Sequence, residues 1–281
     1  MKDTLIVLIG FKRPDKFHRL IQQVLAYSEG DVAVLIDYYN DQVLSEMQET
    51  VNHERVTKVV CRTRNYGCRK NILAGLEELS QLNYQYFIVL EDDLIFNKSL
   101  FDYFKKTRPH LINQVVNIGA FNFKTFLNSR PSVFQTSRFT SWGWMTTKDK
   151  LCEFIEWSKL PLVEHDRIHR FRMYLKCGHD IPKMISDQRR GRIDSWAVSY
   201  VEWMYLNEYK AIIPTKSFVI NDGFGRNSTH TFAEWPLQPK ECAVELNGDV
   251  VIKSLFSFGN FIWLFNYSIF TRIIRKLITP C

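Results

Sequence analysis

Three consecutive carboxylates, Glu91, Asp92 and Asp93, follow directly after the apolar run 86–90. Adjacent carboxylates are costly to hold together unless a cation or strong hydrogen-bond donors neutralise them. An apolar run that ends in carboxylates is typical of a buried strand that delivers a metal site to its carboxyl end, where ligands bind in open α/β sheets. Mg²⁺-like ions are usually held by one or two carboxylates together with substrate phosphates. The triplet therefore indicates either a metal site for a nucleotide diphosphate or an acidic cap of the strand without a metal.

The segments before the triplet alternate between apolar runs and amphipathic helices. Apolar runs at 5–9, 32–36 and 56–61 predict three further strands, and apolar residues at helical spacing over 17–25 and 72–82 predict two helices. This β-α-β alternation predicts an α/β fold with a mostly parallel central sheet flanked by helices. Asp37, which follows the second run, is expected to share the carboxyl edge of that sheet with the acidic triplet.

The second half of the chain predicts fewer elements. We expect a strand over 114–120, a helix over 147–157, a helix over 195–207 and a short strand over 211–214, whereas 121–140 is typical of a loop. The stretch 158–192 is rich in Lys, Arg and His, which suits a phosphate-linked ligand, an anionic membrane or a solvated basic face.

No linker rich in Pro, Gly or Ser divides the chain. We predict a nucleotide-binding half at 1–120, an acceptor-side half of the same domain at 121–250, and a C-terminal amphipathic helix at 251–281. Asn and charged residues within that last segment argue against a membrane-spanning helix. It is expected either to pack on the core or to lie on a membrane surface.

Composition limits the class of protein. The chain has 281 residues, 46% of them hydrophobic, and a formal net charge of +7, which suits phosphate-bearing ligands, nucleic acid or an anionic membrane face. Six scattered cysteines form no C-x-x-C pair, which disfavours a zinc site. The first residues show no signal-peptide layout, so we expect a cytoplasmic protein with reduced thiols.

Six short segments occur in the order in which a known enzyme family carries them. With these segments the chain resembles bacterial glycosyltransferases of the GT-A fold, akin to family 2 sugar transferases. It is also distantly similar to N-acetylglucosaminyltransferase I, whose metal motif is likewise Glu-Asp-Asp. The matching positions are 10–14, 65–67, 90–94, 141–144, 194–196, and 221–225 followed by 229–230, and the resemblance extends over residues 5 to about 231.

The resemblance implies transfer of a sugar from a nucleotide-sugar donor, with inversion at the anomeric carbon and with Mn²⁺ or Mg²⁺ as cofactor. A UDP-sugar is the favoured donor, and a saccharide or lipid-linked acceptor in surface polysaccharide synthesis is expected. The first residues predict a cytoplasmic place of action, and the basic stretch and the C-terminal segment make the inner face of the membrane, an anionic surface, a candidate partner. Nucleic acid is not an expected partner.

The resemblance also assigns roles around the metal. Asp93, the last acid of the motif, is expected to be the direct metal ligand. Asp92 is expected near the donor ribose and the metal, and Glu91 near the water shell of the metal or the sugar. His230, which follows a glycine-containing loop, is a candidate for the metal or the diphosphate, although a structural histidine is an open alternative.

Further candidates for binding the nucleotide-sugar come from the predicted strand ends. Gly10 permits a close backbone approach, Arg13 could contact base or diphosphate, and Asp37 could accept a hydrogen bond from a pyrimidine, unless it caps a turn. The remaining candidates lie before and within the second predicted helix, whose N-terminus favours an anion: Arg64, Asn65 and Lys70.

Inverting transfer needs a carboxylate that takes the proton of the acceptor hydroxyl. Asp194 holds the acid position of the family's segment and is our first choice, whereas Glu202, which precedes Trp-Met as in the animal enzyme, is the alternative. Trp142 and Trp144, on either side of Gly143, are expected to form an aromatic wall for the sugar, with core packing as the other interpretation.

Two other classes remain. A nucleotidyltransferase could use the same carboxylates, but it usually has a glycine-rich phosphate loop after the first strand, and only Gly10 is present here. A non-catalytic, basic protein that binds nucleic acid or sugar would fit the positive charge. It offers no recognisable binding motif, and buried carboxylates repel phosphates without a metal.

Overall fold

The computed structural model describes residues 2–122, 133–161, 164–224, 239–246, 250 and 252–253. The first part of the chain alternates strands and helices as the apolar runs predict. Its elements are β1 (Thr4–Gly10), α1 (Pro14–Tyr27), β2 (Asp31–Ile36), α2 (Asp41–Glu49), β3 (Val56–Cys61), α3 (Cys68–Ser80) and β4 (Tyr86–Glu91).

The rest of the chain extends the same sheet and adds a small second one. Its elements are β5 (Leu94–Phe96), α4 (Ser99–Thr107), β6 (Val115–Gly119), β7 (Val133–Thr136), β8 (Trp144–Thr147), α5 (Lys148–Ser158), α6 (Arg167–Cys177), α7 (Ile181–Arg189), α8 (Trp196–Leu206), β9 (Lys210–Pro214), β10 (Val219–Asn221) and β11 (Ile252–Lys253).

The large sheet has the strand order β11-β7-β9-β6-β8-β4-β1-β2-β3. Strands β3, β2, β1 and β4 are mutually parallel, and β8 lies antiparallel between β4 and β6. The carboxyl ends of β1, β2, β4 and β6 therefore meet the amino end of β8 at one edge. The predicted α/β class with a mostly parallel sheet is confirmed.

The sheet is covered on both faces, as its uninterrupted apolar strands predict. Along β1, Ile6 and Leu8 join a core built with α1 and α4. The intervening residues Leu5 and Val7 join a second core built with α3, α5 and α8. Successive residues of β1 therefore pack against helices on opposite faces of the sheet.

Elements with a marked apolar pattern were predictable, and β6, α5, α8 and β9 lie where the sequence places them. The prediction missed β7, within the segment interpreted as a loop, and both helices of the basic stretch. It also did not include α2, α4, β5, β8 and β10. Helix α6 buries only Met173 and Cys177, so no apolar stripe announces it.

The end of the chain departs from the predicted division. Ile252–Lys253 pair with β7 as β11 and do not belong to the predicted C-terminal helix. Residues 254–281 lie outside the described residues, as does His230. No helix in the described part of the chain is long and apolar enough to span a membrane.

Candidate functional site

The acidic triplet lies at the carboxyl end of β4 and faces Arg13, which stands between β1 and α1. Asp92 and Asp93 are only 3% and 8% exposed. The Nη2 atom of Arg13 donates a hydrogen bond to Oδ1 of Asp92 and lies 3.1 Å from Oδ2 of Asp93. One guanidinium thus bridges two buried carboxylates in charge-assisted hydrogen bonds. The predicted contact of Arg13 with a ligand stays a prediction.

The three carboxylates carry more negative charge than this arginine neutralises. Burial raises the pKa of Asp92 to about 6 although Arg13 opposes the shift. Burial and the charge of Asp93 raise the pKa of Glu91 to about 8, against a hydrogen bond from Ser141. Burial lowers the pKa of Arg13, but the two aspartates outweigh it and hold that pKa above its usual value. A further cation at this edge would therefore be stabilised.

Asp93 has an oxygen available for such a cation. Its Oδ1 atom is buried and has no hydrogen-bond partner among the described residues. A Cβ atom at Gly223 would lie 2.1 Å from Oδ2 of Asp93, so only glycine leaves room for the carboxylate there. Within the described residues, no group of three or more His, Cys, Asp or Glu side chains is arranged to hold a metal ion. The donor set fits a divalent cation that takes its remaining ligands from water or phosphate.

The loop after β10 is fastened beside the triplet. The backbone N–H of Asp222 donates to the carbonyl oxygen of Asp93 over 2.7 Å. The carboxylate of Asp222 lies 3.2 Å from Lys16 Nζ and accepts a hydrogen bond from Arg19 Nη1 at 3.0 Å, both on α1. The motif at 221–225 marked this loop in the sequence, but only the structure gives Asp222 its place.

Asp37 organises the turn that leads into α3. Its Oδ1 accepts from the backbone N–H of Tyr66 at 2.9 Å, and its Oδ2 accepts from that of Gly67 at 3.0 Å. Gly67 has a φ of +80°, which favours glycine. Asp37 is buried and thus acts as the anchor of a turn, while its predicted contact with a base stays a prediction.

Asp194 stands at the N-terminus of α3, close to the same turn. Its Oδ2 accepts from the backbone N–H of Arg69 at 3.2 Å, and the side chain is exposed. Desolvation and the charges of Glu91, Asp194 and Asp37 raise the pKa of the Cys68 thiol to about 12. The sequence did not single out this thiol, which is the first residue of α3.

Three cations surround the ring of Tyr66 on the outer side of this turn. The centroid of the ring lies 5.0 Å from Arg62 Cζ, 5.7 Å from Arg64 Cζ and 5.0 Å from Lys70 Nζ. Asn65 caps the turn by accepting from Gly67 N–H at 2.8 Å. Arg64, Asn65 and Lys70 are thus close together, and their contact with a ligand stays a prediction.

The aromatic wall requires a correction. Trp144 is fully buried and packs against Phe139 and Trp196 in the second core, so its predicted contact with a sugar is wrong. Because Trp144 begins β8, the alternation of the strand turns its ring inward. Gly143 has a φ of +71° and is also buried; its missing side chain leaves room for Ala120.

Trp142 remains at the edge of the sheet. It is partly exposed and makes edge-to-face contacts with Phe121, at 4.5 Å between ring centroids, and with Phe224, at 6.1 Å. Phe224 belongs to the loop that contacts Asp93. Trp142 therefore packs between the segment after β6 and the loop after β10, and its predicted sugar contact stays a prediction.

Glu202 belongs to a buried ion pair, and Gly10 allows a close contact with α1. Glu202 is 2% exposed, and its Oε1 accepts from Arg189 Nη2 at 2.6 Å and lies 2.6 Å from His165 Nε2. This buried, paired carboxylate is two turns along α8 from Asp194, and its role as the alternative base stays a prediction. A Cβ at Gly10 would lie 2.8 Å from the ring of Phe17, so the close approach there is made by α1.

No protein-family model matches the chain, and no curated protein is similar to it in sequence. Among solved structures, it matches a mannosyltransferase from Pyrobaculum calidifontis in complex with GDP-Man and Mn²⁺. Their identity is 11% and their TM-score 0.43, over 62% of this chain and 52% of the other. It also matches glucosyl-3-phosphoglycerate synthase from Mycobacterium tuberculosis in complex with Mn²⁺, UDP and phosphoglyceric acid. Here the identity is 11% and the TM-score 0.37, over 53% of this chain and 56% of the other. The chain thus spans about half the length of these two proteins.

Proposed function

We propose that the chain is a metal-dependent, inverting glycosyltransferase that takes a sugar from a nucleotide-diphosphate donor. The observation that carries the proposal is the buried Asp93 carboxylate at the carboxyl end of β4, with Oδ1 unpartnered among the described residues. The position is where open α/β sheets bind ligands. The resemblance of the six ordered segments to GT-A glycosyltransferases supports the same function.

Asp93, with Asp92 beside it, would hold Mn²⁺ or Mg²⁺ against the donor diphosphate. The bound ion supplies positive charge that stabilises the departing diphosphate. Arg13 and the cations of the turn before α3 add to the positive field at this edge. Asp37 keeps that turn in place by binding the backbone of Tyr66 and Gly67.

Asp194 would take the proton of the acceptor hydroxyl. Its side chain is exposed at the same edge, and the N–H of Arg69 fixes one oxygen while the other is left for a substrate. A base in inverting transfer must lie on the face of the sugar opposite the leaving group. The separation of Asp194, on the α3 side of the sheet, from Arg13, on the α1 side, supports this division of roles.

A UDP-sugar donor, a hexosyl or N-acetylhexosaminyl group, and a saccharide or lipid-linked acceptor in surface polysaccharide synthesis complete the proposal. These rest on the family resemblance. Action at the inner face of the cytoplasmic membrane, with the segment 254–281 as its anchor, belongs to the same proposal.

A thermal-shift panel tests the proposal. UDP-, GDP-, dTDP- and CMP-sugars are each added with Mn²⁺ or with a chelator to the wild type, Asp93→Ala and the control Asp102→Asn, an exposed acid on α4. Ligands that bind only the folded state raise its melting temperature. We expect a metal-dependent rise with one nucleotide in the wild type and control, and none in Asp93→Ala. The proposal would be contradicted by a rise in melting temperature that is equal with Mn²⁺ and with chelator, or by no rise with any nucleotide.

Transfer itself is measured as release of the nucleoside diphosphate in the presence of acceptor. Asp194→Asn should lower that rate by about 10²-fold or more while leaving the metal-dependent thermal shift unchanged. If this variant still transfers sugar, Asp194 is not the base, whereas the assignment of Asp93 as the metal ligand is unaffected.

A further inference from the structure

Helix α6 carries an apolar ridge on the side that faces away from the protein. We call the side chains Ile168, Phe171 and Leu175 the α6 ridge; they are 62%, 62% and 42% exposed. Their spacing of three and four residues places them on one face of the helix. The buried residues of α6, Met173 and Cys177, lie on the opposite face. The ridge therefore takes no part in the core of the described structure.

Cations flank this ridge. Arg167 and Arg172 are exposed, and Lys176 is partly exposed over the ring of Tyr205 at 6.0 Å. Among the ion pairs of the described residues, none involves Arg167 or Arg172, so both guanidinium groups remain available. The acid nearest to them in the helix, Asp166, is engaged as the N-cap, accepting from the N–H of His169 at 2.7 Å.

The adjoining segment has the same charge. Residues 161–192 contain eight Lys and Arg against four Asp and Glu. Of those four acids, Asp180 is committed to Arg138, and Asp187 to Lys183 and Arg192. The acids are thus largely engaged, and the solvent-facing side of α6 combines exposed apolar side chains with unpaired positive charge.

We propose that the α6 ridge docks on an anionic lipid surface. Apolar side chains flanked by Lys and Arg are the pattern of helices that lie in the membrane interface, with the apolar face in the acyl boundary and the cations at the headgroups. Phe and Leu, the residue types of Phe171 and Leu175, are typical of the apolar face of such helices. A nucleic acid would match the cations but not the three exposed apolar side chains between them. This surface is distinct from the segment 254–281, and the proposal does not depend on the sugar-transfer function.

The test is co-sedimentation of the full chain with vesicles of phosphatidylcholine alone and of phosphatidylcholine mixed equally with phosphatidylglycerol. The ridge variant is Ile168→Ser/Phe171→Ser/Leu175→Ser. The matched control is Ile112→Ser/Val244→Ser, which removes two comparably exposed apolar side chains elsewhere. We expect the wild type and the control to bind the anionic vesicles, and the ridge variant to bind them about tenfold or more weakly.

Charge supplies the second arm. Arg167→Gln/Arg172→Gln should weaken binding to the anionic vesicles about fivefold per charge, and wild-type binding should weaken with salt. Vesicle binding that is equal in the wild type and the ridge variant would overturn the proposal. So would a melting temperature several degrees lower in the ridge variant, because the ridge would then be covered by the chain itself. Loss of self-association in that variant would likewise overturn it, by showing a second copy on the ridge.

Discussion

At the scale of single residues, the main feature of the site is that one arginine, Arg13, lies beside the three adjacent carboxylates 91–93. Arg13 reaches only Asp92 and Asp93, and Glu91 lies beyond its hydrogen bonds. Burial, together with the charge of Asp93, raises the pKa values of both Glu91 and Asp92. A second cation would relieve this repulsion, which is the physical basis for assigning a metal to Asp93.

In the absence of metal, Arg13→Gln should destabilise the protein, because it removes the cationic partner of two buried carboxylates. We expect a loss of about 3 kcal/mol, or roughly 6–12 °C in melting temperature. Added Mn²⁺ should recover more of that loss than it adds to the wild type. Arg19→Gln, which removes a half-exposed partner of Asp222, is the control and should change little. If Arg13→Gln leaves the protein as stable as the wild type, the ion pair is unimportant.

Gly223→Ala should displace the Asp93 carboxylate, since the added Cβ would lie 2.1 Å from Oδ2. We expect metal-dependent nucleotide affinity to fall about tenfold or more, because a displaced carboxylate binds the metal less well. The measurement is calorimetric titration with nucleotide and Mn²⁺. Gly191→Ala is the control, because Gly191 has a φ of +67° and no neighbour within 4 Å of the added atom. It should cost stability alone, and equal affinities in both variants would refute the contact.

At the scale of elements, a buried ion pair fixes the helices of the basic stretch to the sheet. Arg138, which follows β7, donates from Nη1 and Nη2 to the two oxygens of Asp180 at 2.7 and 2.9 Å, and from Nη1 to the carbonyl oxygen of Cys177 at 3.0 Å. The pair therefore joins β7 to the junction of α6 and α7. Neither residue was a candidate in the sequence, because nothing in a local pattern pairs positions 42 residues apart.

Asp180→Asn should cost about 3 kcal/mol of unfolding free energy at neutral pH, because it removes the carboxylate that balances the buried charge of Arg138. Asp187→Asn is the control, because it removes the partner of the exposed Lys183 on α7, and it should cost far less. Both costs are measured by denaturant unfolding. Equal costs in the two variants would contradict the role of the buried pair.

The same pair predicts a dependence on pH. Burial raises the pKa of Asp180, but the charge and hydrogen bonds of Arg138 outweigh it and hold that pKa below its usual value. A lowered folded pKa contributes stability above the unfolded pKa of about 4, which is lost as pH falls through the folded pKa. The difference in stability between wild type and Asp180→Asn should therefore shrink below about pH 4. A difference independent of pH would contradict this.

Which elements the sequence predicted follows from how they are buried. Strands β1, β2 and β4 are covered on both faces and appear as unbroken apolar runs, so they and the position of the acidic triplet were predictable. Helices α6 and α7 bury two residues each, and β8 enters the sheet antiparallel between β4 and β6. That insertion turns Trp144 inward, which the spacing of Trp142 and Trp144 could not reveal.

At the scale of the whole molecule, one sheet joins the two predicted halves. Strand β8 pairs with β4 from Tyr86 to Val89 and with β6 from Asn117 to Gly119. Both cores contain residues from before and after residue 120. The two predicted halves therefore do not have separate hydrophobic cores. That one half binds the donor and the other the acceptor stays a prediction.

Because the sheet and both cores are shared, residues 1–120 and 121–250 should unfold together. We expect coincident denaturant transitions from tryptophan fluorescence, since all seven tryptophans lie after residue 120, and from a probe attached to an exposed residue of α2. Two separated transitions would show that the halves are independent domains.

The most direct test of the central claim is calorimetric titration of the wild type, Asp93→Asn and Asp102→Asn with UDP and GDP, each with Mn²⁺ and with a chelator. The account predicts binding of one nucleotide that requires Mn²⁺, is kept in Asp102→Asn, and weakens about 30-fold or more in Asp93→Asn, as the loss of a metal-ligand carboxylate implies. Equal affinity with chelator, or in Asp93→Asn, would contradict a metal-nucleotide site at the end of β4.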